Sequence, residues 1–203
     1  GRFERYSDFG NTVTGKLAAR LKPTEQFIIR AAASSGFRAP NLNQSHYAHV
    51  STGFRSDGMG GQEAYEIGEI PVDSDIARAL GAEPLQEETS VNYSAGIAFS
   101  PTDQLTFTAD VYQIDVNDRI ILTGTLSGPT VEELLAEFGA PTVKFFTNSV
   151  DTRTRGLDLT GRYRHLLGDN RYLEFLAQYN RNDLEVRDVT IPDVISELED
   201  QVF

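Results

Sequence analysis

Acids, arginines and histidines are the residues of this chain equipped to do chemistry, and their spacing limits what they can do. His46 and His49 lie three apart on a segment that reads as strand or loop, and His165 is remote. A tetrahedral metal site needs three or four converging ligands, so no metal is expected. Asp110, Asp158 and Glu174 fall on separate strand-like segments. Glycosidic acid–base work needs two carboxylates about 5–9.5 Å apart, and nothing in their spacing sets such a distance. Cysteine is absent, which removes disulfides, thiolate ligands and thiol nucleophiles together. No glycine-rich phosphate loop, G-x-S-x-G elbow or calcium loop occurs. The chain is expected to be no enzyme and to need no cofactor.

What remains is a set of charges distributed on alternating residues. In residues 152–180, Leu157, Leu159, Gly161 and Tyr163 alternate with Asp158, Thr160, Arg162 and Arg164. After a turn at residues 165–171, Leu173, Phe175, Ala177 and Tyr179 alternate with Glu174, Leu176, Gln178 and Asn180. Period two means a strand with two unlike faces. Similar alternation marks strands over residues 12–21, from 27 to the mid-30s, 89–99 and 105–111, the last running on to about 122 with an irregularity near Asn117-Asp118. Residues 2–7 and 143–148 are shorter candidates, 46–54 could be another, and 184–190 extends the last. Turns are expected at residues 22–25, 100–104 and 165–171. Between them lie two long excursions, about 41–88 and 123–142, the first expected to contain a mobile loop around Gly53, Gly58, Gly60 and Gly61.

Two short loop helices are predicted. Residues 73–80 have Asp73 or Ser74 as N-cap and Gly81 at the C-terminal position. Residues 130–138 begin with a Thr130/Glu133 capping box and carry Val131, Leu134, Leu135 and Phe138 on one face. Residues 192–203 are acidic and helix-like.

The 203 residues carry 18 Lys+Arg against 30 Asp+Glu, a formal charge of −12. That balance argues against a nucleic-acid partner, whose mark is a basic patch. No apolar run reaches the ~20 residues of a membrane helix, but a barrel strand needs only ~9–11, with alternate residues polar. Three features favour a barrel in lipid over a soluble sheet. Short turns alternate with long excursions. The apolar faces lack charge while Arg30, Asp110, Asp158, Arg162, Arg164 and Glu174 sit opposite, as a water-filled lumen allows. The aromatics Phe27, Phe99, Phe107, Tyr163 and Phe175 gather beside the turns, where an interfacial girdle belongs. Two rivals are a soluble lipocalin-like barrel holding a small apolar ligand, with the same apolar residues packed inside, and a carbohydrate-active β-enzyme using Asp110 and Asp158.

Four segments, in order, resemble TonB-dependent outer-membrane receptors. Ser34-Ser35-Gly36-Phe37-Arg38-Ala39-Pro40-Asn41-Leu42 resembles the end of a barrel strand of that family. Leu85-Gln86-Glu87-Glu88-Thr89-Ser90-Val91-Asn92-Tyr93 is similar to the entry into the next. Tyr112-Gln113-Ile114-Asp115-Val116-Asn117-Asp118-Arg119-Ile120 resembles another strand end, and Phe146-Thr147-Asn148 with Thr154-Arg155-Gly156-Leu157-Asp158 a later FxN…TxG pattern. The resemblance implies an antiparallel transmembrane β-barrel segment, part of a 22-stranded barrel. It also implies active import of a siderophore, cobalamin or carbohydrate-class solute across the outer membrane of a Gram-negative bacterium. Its partners would be outer-membrane lipid, the receptor's own plug domain and remaining strands, the TonB complex and the solute. With eight to nine strands and no recognisable plug or TonB box, the chain is expected to be a portion of such a barrel with two unpaired edges. Arg38, Asn41, Gln44, Arg55, Tyr65 and Glu66, at or beyond a strand end, are the expected ligand contacts.

Overall fold

The computed structural model describes residues 1–6, 10–56, 58, 60–134, 142–168, 171–192 and 194–195, with backbone only for Arg55 and Leu134. In chain order the elements are β1 (Arg2–Tyr6), β2 (Gly10–Thr14), β3 (Lys16–Thr24), β4 (Phe27–Arg38), α1 (Leu42–His46), β5 (His49–Ser56), β6 (Gln62–Glu69), α2 (Asp75–Ala79), β7 (Glu88–Thr102), β8 (Leu105–Leu122), α3 (Pro129–Leu134), β9 (Val143–Lys144), β10 (Phe146–Gly168) and β11 (Arg171–Val189). The main sheet has the order β11-β10-β8-β7-β4-β3 and is open, with β3 and β11 as its edges. The chain divides into two compact units: residues 1–37, 89–117 and 151–187, and residues 38–88, 118–150 and 188–203.

In the first unit, sequence neighbours pair antiparallel through tight turns. The β3–β4 ladder runs from Lys16↔Ser34 to Thr24↔Phe27, and the β7–β8 ladder from Thr89↔Asn117 to Thr102↔Leu105. Both turns are shorter than the residue types suggest, because each strand resumes beyond its proline. Pro23 and Pro101 fall where the registers shift, between Leu21 and Thr24 and between Phe99 and Thr102. A proline has no N–H for the ladder, so a bulge is where a strand can hold one. In the third hairpin, β10 reaches Gly168 and β11 starts at Arg171; residues 169–170 lie outside the described residues.

The alternation over residues 12–21 belongs to two strands rather than one. Val13 pairs with Phe3 on β1, whereas Leu17 pairs with Ala33 on β4. Between them Gly15 donates its N–H to Ser35 Oγ at 3.0 Å and accepts from Ser35 N at 2.9 Å. The inside–outside period continues across Gly15, so a change of partner leaves no trace in the pattern.

The second unit contains the excursion at residues 41–88. It holds α1, the β5–β6 hairpin and α2, and β9 pairs parallel to β6 through Gly68↔Val143. The strand expected from residue 46 starts at His49, because α1, a third helix not predicted, occupies Leu42–His46. Its N-cap Asn41 accepts from Gln44 N while the Gln44 side chain accepts from Asn41 N, a reciprocal box built with amides. In α2, Ser74 Oγ accepts from Ala77 N, and Gly81 takes φ +84 just past the end, as expected there. Helix α3 begins at Pro129 rather than being capped by Thr130; proline suits a first turn whose N–H groups lack helical partners. Leu135 and Phe138 of the expected stripe, and the helix-like stretch beyond Ile195, lie outside the described residues. Asp118, at the expected irregularity in β8, has φ +56.

This unit has a core of its own, made by Val72, Ala77, Leu80, Leu126, Val131, Val143, Phe145 and Ile195. Phe145, between β9 and β10, is 1% exposed and its N–H reaches Thr123 Oγ1. Truncating Phe145 to alanine leaves a cavity worth about 3–5 kcal/mol. Hydrogen exchange should show faster exchange at Leu80, Leu126 and Val143, with the β7–β8 ladder of the first unit unchanged.

Candidate functional site

Directly paired residues of an antiparallel ladder share a face, so register assigns the two sides of β3–β4 and β7–β8, and cross-strand contacts extend them to β10 and β11. One side carries Leu17, Leu21, Ile29, Ile97, Phe99, Phe107, Val111, Leu159, Tyr163, Leu173, Phe175 and Tyr179, all exposed. Ile97, Phe107 and Leu159 keep 43%, 48% and 40% of their surface accessible, which a packed water-soluble interior would not leave. Near the turns the aromatics form a band. Phe27 and Phe99 meet edge to face at 6.4 Å, Tyr163 stacks on Phe175 at 6.4 Å, and Phe107 lies over Gly161. This is the girdle expected at a membrane–water boundary.

Further from the turns the same side becomes polar. On β8 the sequence Phe107, Ala109, Val111 continues as Gln113 and Asp115. On β10, Leu159 and Leu157 give way to Arg155 and Arg153. Arg153 Nε is 2.5 Å from Asp115, and Arg155 Nε donates to Gln113 at 3.0 Å. The apolar belt therefore has an upper limit.

The opposite side carries all six residues expected to face a lumen. Arg30 donates through Nε and an amino group to Asp110, at 2.9 and 2.6 Å. Asp110 lies across from Gly96, where a Cβ would come within 1.9 Å of its carboxylate oxygen. Glu174 accepts from Arg164 at 3.0 Å and lies 3.9 Å from Arg162. Arg164 also covers the Tyr172 ring at 4.6 Å, and Asp158 accepts from Asn180. Lys16 and Arg20 share this side, with Arg20 directly paired to Arg30. Asp110 and Asp158 are thus held by separate partners.

In the second unit, Arg38, Asn41 and Gln44 come together, but around one another. Arg38 forms a two-pronged pair with Glu88 and reaches Gln44 Oε1 at 3.5 Å. Glu88 also accepts from Ile120 N at 2.8 Å, so one carboxylate ties β4, β7 and β8. Glu88 belongs to the second unit, beyond the ten or so residues of β7 that a bilayer crossing needs. Burial alone would push its carboxyl up. The Arg38 and Ile120 hydrogen bonds, with Arg119 nearby, outweigh that and hold it below the usual carboxylate range. Asn148 is a second knot: its amide donates to the carbonyls of Gln86 and Asp118 and accepts from Gln86 N. Glu88 and Asn148 stand within the quoted family segments, but pattern gives them no role, since their partners lie 50 and 62 residues away. The β5–β6 register pairs Arg55 with Glu63 along the backbone and puts Tyr65, opposite Gly53, and Glu66, opposite Thr52, on different faces of the hairpin. The Tyr65 ring covers Gly53, and His46 Nδ1 lies 3.9 Å from Asp73.

The family model "TonB dependent receptor-like, beta-barrel" matches residues 1–195. No curated protein gives a significant match. Among solved structures, the siderophore receptor PirA from Pseudomonas aeruginosa is 22% identical with a TM-score of 0.59, over 91% of this chain and 30% of that one. The ferric enterobactin receptor PfeA of the same organism, in complex with enterobactin, is 21% identical with a TM-score of 0.59, over 88% and 23%. The RagAB peptide importer is 13% identical with a TM-score of 0.57, over 91% and 19%. The chain spans under a third of the length of each of these structures, and at such identities the likeness is one of fold.

The Arg38–Glu88 pair gives a pH signature. With the folded pKa depressed, its contribution is complete above the unfolded carboxylate range and is lost as pH falls through the lower folded value. Glu88→Gln should destabilise the second unit by about 1–3 kcal/mol at neutral pH. In thermal unfolding and Ile120 amide exchange from pH 7 to pH 3, the gap between wild type and variant should close on acidification.

Proposed function

The chain belongs to the TonB dependent receptor-like β-barrel family, and on that premise we propose that it forms part of the wall and outer loops of an outer-membrane importer. The observation that carries the reading is the two-sided sheet: an exposed, uncharged belt with an aromatic girdle on one side, paired charges on the other. A charge facing the bilayer midplane costs roughly 2–4 kcal/mol, and a hydrated lumen removes that cost. Arg30, Asp110, Asp158, Arg162, Arg164 and Glu174 then line the lumen, against a plug domain supplied by the whole receptor, and further strands cover the edges of β3 and β11. Energy arrives through TonB. The cell location is the outer membrane of a Gram-negative bacterium.

The solute is of the siderophore class, the class named for the similar receptor PirA; cobalamin and carbohydrate solutes are the alternatives. The β5–β6 hairpin with Arg55, Tyr65 and Glu66 offers contacts, with Arg38, Asn41 and Gln44 holding the neighbouring chain. This is transport rather than catalysis, and Asp110, paired to Arg30, is poorly placed as an acid. A lipocalin-like body would need Ile97, Phe107 and Leu159 packed inside, and their exposure disfavours it.

Uptake of iron-loaded siderophores by cells with and without the protein tests the proposal. Uptake should require both the protein and a functional TonB system. Extraction as a water-soluble monomer without detergent, or uptake that persists when TonB is removed, would overturn it.

A further inference from the structure

The two units differ sharply in charge. The second carries 5 Lys+Arg against 18 Asp+Glu, a formal net of −13, while the first nearly balances at 13 against 12. The chain's excess of acid therefore belongs to the second unit. A field of that sign concentrates cations and repels anions.

Within this unit a cleft of about 490 Å³ lies between the α2–β7 connection, the start of β10 and the segment after β11. Its carboxylates are Glu83 and Asp118, and no lysine, arginine or histidine is among the described residues that line it. Pro84, Ile191, Pro192 and Val194 supply apolar wall. Glu83 is exposed and has no ion-pair partner among the described residues. The Gln86 side chain and the hydroxyls of Thr147 and Thr190 are likewise uncommitted there. Apolar walls with a few uncommitted polar groups, in a cavity of this size, are the make-up of a small-molecule site.

The walls are fixed without a ligand. The Asn148 amide ties Gln86 to Asp118. Thr190 N donates to the Ser149 carbonyl at 2.8 Å, and Ile195, 1% exposed, anchors the far wall in the core. Gly81 lets that wall come close, since a Cβ there would lie 2.8 Å from Pro192 Cβ. Preorganisation of this kind lowers the ordering cost of binding.

We propose that the cleft binds an organic cation on a short aliphatic stem, with its ammonium group on Glu83 and its methylenes against Pro84, Ile191 and Val194. The acids set the sign of the ligand. The apolar wall separates it from a bare divalent ion, which takes oxygen ligands and gains nothing from hydrocarbon. The site goes beyond the import reading and does not depend on it.

Isothermal titration calorimetry of the purified protein tests this with three probes: cadaverine, its uncharged counterpart pentanediol, and magnesium. One cadaverine should bind per chain, with pentanediol held about tenfold more weakly. Glu83→Gln, at an exposed position, should weaken cadaverine about tenfold. Val194→Ser, also exposed, removes hydrocarbon without touching charge and should weaken it about fourfold. Magnesium at equal concentration should leave cadaverine bound. Many cadaverine molecules per chain, displacement by equimolar magnesium, or an affinity unchanged in either variant would mean a diffuse field of acids, and overturns the site. Uptake of iron-loaded siderophores is read separately, so failure of either proposal leaves the other standing.

Discussion

Hydrocarbon offers no water to a peptide group, so a strand that crosses it must give every N–H and C=O to a neighbouring strand. The local features of the first unit follow from that demand. β3, β4, β7, β8, β10 and β11 are 9 to 23 residues long, and two described turns take two residues each. Pro23 and Pro101, the residues least able to serve a ladder, are confined to register shifts beside the turns. Where β2 ends, Gly15 and Ser35 exchange main-chain and side-chain hydrogen bonds, so the change of partner leaves Gly15 N–H and C=O engaged.

Partition of charge is the second consequence. One face keeps its polar atoms away from lipid by having almost none over the belt. The other keeps its ions in pairs, Arg30 with Asp110 and Arg164 with Glu174. These pairs are half-exposed and add little to stability in water; their importance is that no side chain of this kind points into the bilayer. The glycines facing Asp110 and Tyr112, Gly96 and Gly156, make room for larger cross-strand neighbours on the charged side.

The two faces were legible in the sequence because period two is a local property. The residues on the belt, the girdle and the charged side can all be picked out by counting along one strand. Partner choice was not legible: the alternation passing Gly15 is the same whether β2 and β3 share a neighbour or not. The loop elements were hidden for a related reason. The β5–β6 hairpin and α1 are short and lack a clear period, and glycines that suggest mobility, such as Gly53, leave space for an aromatic ring. Arg38, Asn41 and Gln44 do gather, but the carboxylate that organises them, Glu88, lies 50 residues from Arg38 and only the fold reveals it.

The second unit closes around Phe145, Leu80, Leu126 and Val131, none of which belongs to the apolar belt. Segments that carry their own core can accept new surface residues without disturbing the strands that feed them. A substitution on the surface of that unit has only its own core to respect, whereas one in the strands of the first unit must also keep the ladder and the two unlike faces.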